Sequence, residues 1–149
     1  MPWQRRNPDA VKNLAPNLWV ADRPLKTAPM TNIGARMTVV KLSDGGLFLV
    51  SPVRLGDQTR AQLDEIGPVR FVVAPSKVHH LFAGDYLAAY PAARLCGAPG
   101  LSKKRRDLGF YRTLGDEAPP EWSGDLTQLC SAARRFSTKS SSFIPRLAR

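Results

Sequence analysis

The sequence predicts a single α/β domain, and three observations support that prediction. The chain has 149 residues, 43% of them hydrophobic and 23% charged, which is typical of one domain with its own core. A β-hairpin pattern lies within residues 37–51. Helix and strand patterns then alternate along residues 57–97, and such alternation is typical of a parallel sheet with helices packed on it.

The chain begins with a segment that has no helix or strand period. Residues 1–17 contain three prolines, which cannot donate backbone hydrogen bonds, so we expect an extended arm there. Residues 18–20 are a short strand candidate, and we expect that strand to end before Pro24.

The hairpin is the clearest local unit. Residues 37–42 and 47–51 are apolar, β-branched runs on either side of a four-residue turn that contains Asp44 and Gly45. Asp and Gly tolerate the positive φ that a tight turn requires, so this arrangement is a strong hairpin signal.

A helix is predicted directly after residue 56. The Asp57 carboxylate can cap its first turn, and Leu63 and Ile66 fall on one face. Gly67 then ends the helix.

The alternation continues with two strands and a second helix. Residues 69–74 are almost continuously apolar, as in a strand covered on both faces; residues 82–90 have a helical pattern and residues 93–97 a strand pattern. Parallel α/β sheets bind ligands beyond the carboxyl ends of their strands. The loop at that edge, residues 75–80, contains both histidines of the chain.

The net charge of +10 comes from 22 basic and 12 acidic side chains, and it is concentrated at the end of the chain. Residues 130–149 contain five basic residues and no acidic one, and they are rich in serine. This composition predicts a basic, disordered tail more than a basic binding face. Nucleic acid is therefore not an expected partner.

The sequence pattern argues against a membrane-spanning or secreted protein. No run of roughly 18 apolar residues is present that could span a membrane, and no hydrophobic segment near the N-terminus resembles a secretory signal. Cys96 and Cys130 fit free thiols in a reducing compartment, so we expect a cytoplasmic protein. Neither has a CxxC partner, and we interpret Cys96 as a small buried apolar residue, not a nucleophile.

His79 and His80 are the one cluster suited to metal chemistry, because imidazole binds zinc and iron. Adjacent side chains usually diverge, so the alternative is a structural loop in which the two imidazoles hydrogen-bond to backbone carbonyls. Asp85 follows His80 by five residues in the sequence and could be an oxygen ligand or general base. Its alternative role is an acidic residue in the first turn of a helix, where it complements the helix dipole.

Residues 103–106 are four consecutive basic residues, which could contact phosphate groups. They have no aromatic residues interleaved with them, so we interpret them as a solvated helix face.

Residues 36–47, 73–82 and 98–104 form three blocks that, in this order, resemble an uncharacterised bacterial family of unknown function with a metallo-β-lactamase-like fold. The likeness runs from Asn17 to Leu129. It implies an αββα sandwich, that is, two sheets packed face to face with helices outside. It also implies that intact relatives are hydrolases that act on a small-molecule substrate through metal-activated water.

The wider superfamily carries a His-x-His-x-Asp-His motif that binds two metals after the corresponding strand. By this resemblance its two leading histidines fall at Pro75 and Lys77, its aspartate at His79 and its last histidine at His80. Proline has no side-chain donor and a lysine ammonium repels a cation, so the resemblance implies a degenerate site. With these two positions lost, His79 and His80 remain as candidate ligands of one zinc or iron ion, or of no ion. The resemblance does not identify the catalytic residues.

The regular pattern stops at Leu129. We therefore expect residues 18–129 to be the first half of the sandwich only, and residues 130–149 to be out-of-frame translation or a false terminus, which the nucleotide sequence would test. A sheet without its partner would expose an apolar face larger than the few hundred Å² that a soluble monomer tolerates. Self-association through that face is therefore expected.

These features together predict a protein of unknown activity that resembles metallo-β-lactamase-fold hydrolases, truncated and inactive. The alternative is a non-catalytic binding or scaffold domain that keeps the fold without the chemistry. The least favoured hypothesis is a basic nucleic-acid binder that uses residues 103–106 and the tail.

Overall fold

A computed structural model describes residues 10–28, 31–75, 82–115, 118–132 and 139–145 of the chain. The described part contains nine strands and three helices. The strands are β1 (Lys12–Ala15), β2 (Leu18–Ala28), β3 (Thr31–Lys41), β4 (Leu47–Val50), β5 (Val69–Ala74), β6 (Arg94–Gly97), β7 (Phe110–Thr113), β8 (Leu126–Ala132) and β9 (Lys139–Pro145). The helices are α1 (Asp57–Ile66), α2 (Ala83–Ala89) and α3 (Leu101–Lys104).

Strands β1 to β7 form one mixed sheet in sequence order, and β8 pairs with β9 in a second, two-stranded sheet. The first four strands pair antiparallel, whereas β4, β5, β6 and β7 pair parallel. The hairpin and the strand–helix alternation that the sequence predicts are therefore confirmed.

The predicted hairpin turn lies between β3 and β4. Gly45 has φ 89°, a conformation that favours glycine, and the Leu42 amide donates to the Gly46 carbonyl at 2.8 Å. The Asp44 carboxylate accepts a hydrogen bond of 2.8 Å from the Gly46 amide. The turn is thus held by the residue types that predicted it.

The first part of the chain has more strand than the sequence predicts. Strand β1 lies within the predicted arm, and β2 continues past Pro24 to Ala28. Pro24 pairs with Gly34 of β3. The predicted end of β2 before Pro24 is therefore wrong. Pro24 and Gly34 would each end a shorter strand, but here the long ladder on either side of the pair keeps the backbone extended.

Helix α1 begins at Asp57, but Gly56 occupies the capping position and no side chain caps the helix. Asp57 instead lies in the first turn, where a carboxylate still complements the helix dipole. Leu63 is fully buried and Ile66 packs against the same core, as predicted.

Each face of the large sheet has its own core. On one face the helices contribute Leu63, Ala83 and Tyr86 to a core whose sheet residues include Met37, Val39, Leu49 and Val72. On the other, inner face the core is built from Val40, Leu42, Phe48, Phe71, Val73, Cys96, Leu114, Trp122 and Leu126. The inner face is the one that a second sheet would cover in an αββα sandwich.

The centre of the inner face is covered within this chain. Trp122 is fully buried, and its ring centroid lies 5.0 Å from that of Phe48 and 5.0 Å from that of Phe71. Among the residues whose side-chain burial the structure describes (10–22, 35–75, 82–115 and 118–126), the large hydrophobic side chains that are exposed are Leu14 and Tyr111. The segment before β8 therefore folds over the centre of the inner face, and self-association through an exposed apolar face stays a prediction.

The end of the chain also differs from the sequence prediction. Strand β8 runs through the expected boundary at Leu129 and pairs antiparallel with β9, from Leu126 opposite Pro145 to Ala132 opposite Lys139. The sequence predicted a disordered tail from residue 130 because its composition lacks acids and an apolar period. A main-chain ladder requires neither feature, so composition did not reveal these strands.

None of the helices in the described ranges is long and apolar enough to cross a membrane.

Candidate functional site

The candidate site lies at the edge of the sheet where the parallel strands end. Strands β4, β5 and β6 end at Val50, Ala74 and Gly97, and all three ends lie at the same edge because the strands are parallel. The ladder continues one residue further: the Ser51 amide donates to the Val73 carbonyl and the Ala98 amide to the Ala74 carbonyl, each at 2.9 Å. This is the edge at which α/β sheets bind ligands.

Pro75 follows β5 directly at this edge and is buried. By the sequence resemblance, the first histidine of the superfamily motif would fall at this position. Its pyrrolidine ring has no lone pair that could coordinate a metal ion, so this position offers no side-chain ligand.

His79, His80 and Lys77 lie outside the described residues, so the predicted ligands themselves are not placed by the structure. Asp85 is described. It is exposed in the first turn of α2, which is the alternative role that the sequence offered for it.

Over the described ranges, no group of three or more histidine, cysteine, aspartate or glutamate side chains is arranged to hold a metal ion. The described edge is formed by Ser51, Pro75, Ala98 and their neighbours, which contribute mostly apolar side chains.

Ser51 has an unusual backbone at this edge. Its φ is 58°, in the left-handed region that serine rarely adopts. Such conformations persist only where the surrounding structure fixes them, here the continued ladder to Val73 and the buried Pro52 that follows. Nothing in the sequence pattern indicated this feature.

Cys96 lies in β6 on the inner face and is fully buried. Burial raises the pKa of its thiol to about 12, although the positive charge of Arg112 acts in the opposite direction. The thiolate is the nucleophilic form, so Cys96 is an inert core thiol at neutral pH, as the sequence indicated. The Cys130 side chain lies outside the described side chains.

A second concave region lies at the opposite edge, between the C-terminal ends of α1 and α2. It is a shallow, open groove of about 420 Å³, lined by Asp64, Gly67, Pro68, Val69, Ala89, Tyr90, Pro91 and Ala92. The Tyr90 hydroxyl donates to the Asp64 carboxylate at 3.1 Å, and burial, reinforced by this carboxylate, raises the pKa of Tyr90 to about 12. This region lies at the amino end of β5, away from the edge where this type of sheet binds ligands.

A cluster that the sequence did not indicate lies where β6 meets β7. The guanidinium carbon of Arg94 lies 4.4 Å from the centroid of the Tyr111 ring, and that of Arg112 lies 5.6 Å from it. Arg112 also donates to the Glu121 carboxylate at 3.1 Å. No sequence signal could have found this cluster, because the pairing of β6 with β7 brings Arg94 and Tyr111 together.

In a comparison with protein families, residues 16–101 match a family described as "Domain of unknown function (DUF4336)". No curated protein matches the chain.

Comparison with solved structures finds metallo-β-lactamases. The DIM-1 metallo-β-lactamase exposed to ceftazidime gives a TM-score of 0.69 at 13% identity, covering 91% of this chain and 64% of that chain. The enzyme from Hirschia baltica gives 0.59 at 15% identity, covering 80% and 59%. The mono-zinc form of FIM-1 from Pseudomonas aeruginosa gives 0.60 at 10% identity, covering 80% and 57%.

These likenesses show the fold. The sheet described above is that of a metallo-β-lactamase-like fold, as the sequence resemblance implied. The chain spans less than two thirds of the length of these three enzymes.

Proposed function

We propose, from the premise that this chain belongs to the DUF4336 family of domains of unknown function, that it keeps the metallo-β-lactamase-like fold without the two-metal hydrolytic centre. The observation that supports the proposal most directly is the buried proline at the end of β5. By the sequence resemblance, Pro75 takes the place of the first metal ligand of the superfamily motif. A proline side chain has no atom that can coordinate a metal ion.

The second motif position points the same way. It is Lys77, whose ammonium group must lose a proton before it can bind a metal. With two of the four motif positions lost, a pair of metal ions would need replacement ligands at the same sheet edge. The described ends of β4 and β6 offer Ser51 and Ala98, which are poor substitutes for histidine.

In this proposal the chain is a non-hydrolytic domain that uses the fold for binding or as a scaffold. The activities in the names of the similar structures belong to those enzymes, which are longer and less than 25% identical to this chain. A shared fold carries no chemistry unless the reacting groups are also shared.

A second candidate function is a single-metal hydrolase acting on a small-molecule substrate. Consecutive imidazoles at positions 79 and 80 favour it, because His80 retains the last histidine of the motif and His79 replaces one ligand type by another. The mono-zinc form of FIM-1 supports it as well, since a similar fold there holds one zinc ion. Zinc or iron would then be the metal, with further ligands contributed from other parts of the protein.

Metal analysis of the purified chain tests these proposals. The chain is dialysed against zinc, and metal per chain is measured by mass spectrometry for the wild type, His79→Ala, His80→Ala and the distant control Lys12→Gln. Hydrolysis of a chromogenic cephalosporin is followed in parallel. The main proposal predicts fewer than two ions per chain and no zinc-dependent hydrolysis.

The outcomes are distinct. Two zinc ions per chain, or zinc-dependent hydrolysis of the cephalosporin, would overturn the main proposal. One ion per chain, lost in His80→Ala and retained in Lys12→Gln, would identify His80 as a ligand, and hydrolysis that depends on this one ion would favour the single-metal hydrolase.

A further inference from the structure

We draw no further inference here: the strongest candidate, the shallow groove of about 420 Å³ between the C-terminal ends of α1 and α2, where the Tyr90 hydroxyl donates to Asp64, is lined mostly by apolar side chains, and nothing in the part of the chain that the structure describes shows what covers it.

Discussion

Two residues other than glycine adopt a left-handed backbone in the described chain, and they differ in how well they tolerate it. Asn17 has φ 63° in the turn between β1 and β2, and Ser51 has φ 58° at the end of β4. Asparagine visits this region readily because its short amide can hydrogen-bond locally, whereas serine gains little there. The strain at Ser51 is therefore the larger of the two.

Replacing Ser51 by glycine should relieve this strain. We expect Ser51→Gly to raise the free energy of unfolding by about 0.5–1 kcal/mol, since glycine has no Cβ to clash at positive φ. Urea denaturation measures the change. Ser123→Gly, at a position without positive φ, is the control and should lower stability. A loss of stability in Ser51→Gly comparable to that control would contradict the strain.

The buried thiol of Cys96 should make stability depend on alkaline pH. Its pKa is raised from 9.0 to about 12, so the folded state holds the thiol proton more tightly than the unfolded state does. The stabilisation is fully present below pH 9 and is lost as pH rises from 9 to 12. Between pH 9 and 12 the free energy of unfolding of the wild type falls with pH because the unfolded state releases the thiol proton. In Cys96→Ala this fall should be less steep, by up to about 1.4 kcal/mol per pH unit.

Urea denaturation at pH 8, 9, 10 and 11 measures this slope. Tyr90→Phe is a useful comparison, because the pKa of Tyr90 is also raised to about 12 and its effect should begin only above pH 10. Parallel profiles for wild type and Cys96→Ala would show that the thiol titrates equally in both states.

At the scale of elements, α1 and the hairpin turn meet at a glycine. Gly67 ends the helix, and its amide donates to the Leu63 carbonyl at 3.0 Å. A Cβ placed on Gly67 would lie 2.6 Å from the backbone carbonyl oxygen of Gly45. The sequence identified Gly67 as the end of a helix, and the structure adds that the hairpin backbone leaves no room for a larger residue there.

Gly67→Ala should therefore destabilise the domain. A backbone oxygen cannot move as a flexible side chain can, so we expect a loss of about 1–3 kcal/mol, typical of overpacking. Gly109→Ala is the matched control, because its Cβ would meet no atom within 4 Å. Urea denaturation measures both variants. Equal stability of Gly67→Ala and Gly109→Ala would contradict the close approach at Gly67.

The β2–β3 ribbon shows where local prediction stops. Pro24 and Gly34 each weaken a strand on their own, so the sequence predicted a short strand before Pro24. In the structure these two residues pair with each other inside a ladder of 11-residue strands. Strand length here is decided by pairing between the two strands, which propensity at a single position does not contain.

At the scale of the whole molecule, one tryptophan connects the sheet to the end of the chain. Trp122 packs on Phe48 and Phe71 at the centre of the inner face, and the Asp125 carboxylate accepts hydrogen bonds from the Ser43 amide at 3.2 Å and the Ser43 hydroxyl at 3.1 Å. The centre of the inner face is thus covered by a segment that is distant in sequence from the strands on which it packs.

Trp122→Ala should open this face. We expect a loss of about 3–5 kcal/mol in the free energy of unfolding, as for other buried aromatic residues. We also expect stronger self-association than in the wild type, because Phe48 and Phe71 become accessible. Trp122→Phe should lose less stability and self-associate less. Light scattering after size exclusion measures the mass, and an unchanged mass for a folded Trp122→Ala would contradict this role.

The sequence by itself determined the β3–β4 hairpin, the exact limits of β5 and the places of α1, α2 and β6. These features depend on turn chemistry and on apolar period, which are properties of neighbouring residues. The mismatch of Pro75 and Lys77 with a metal-binding motif was likewise visible in the sequence, because a ligand is a matter of residue type.

The tertiary structure alone decided which distant residues meet. It placed Trp122 over the inner face, paired β8 with β9, and brought Arg94 beside Tyr111. Such contacts follow from sheet register and from packing between segments far apart in the chain. No window of local sequence contains both partners, and the folded backbone is what brings them into contact.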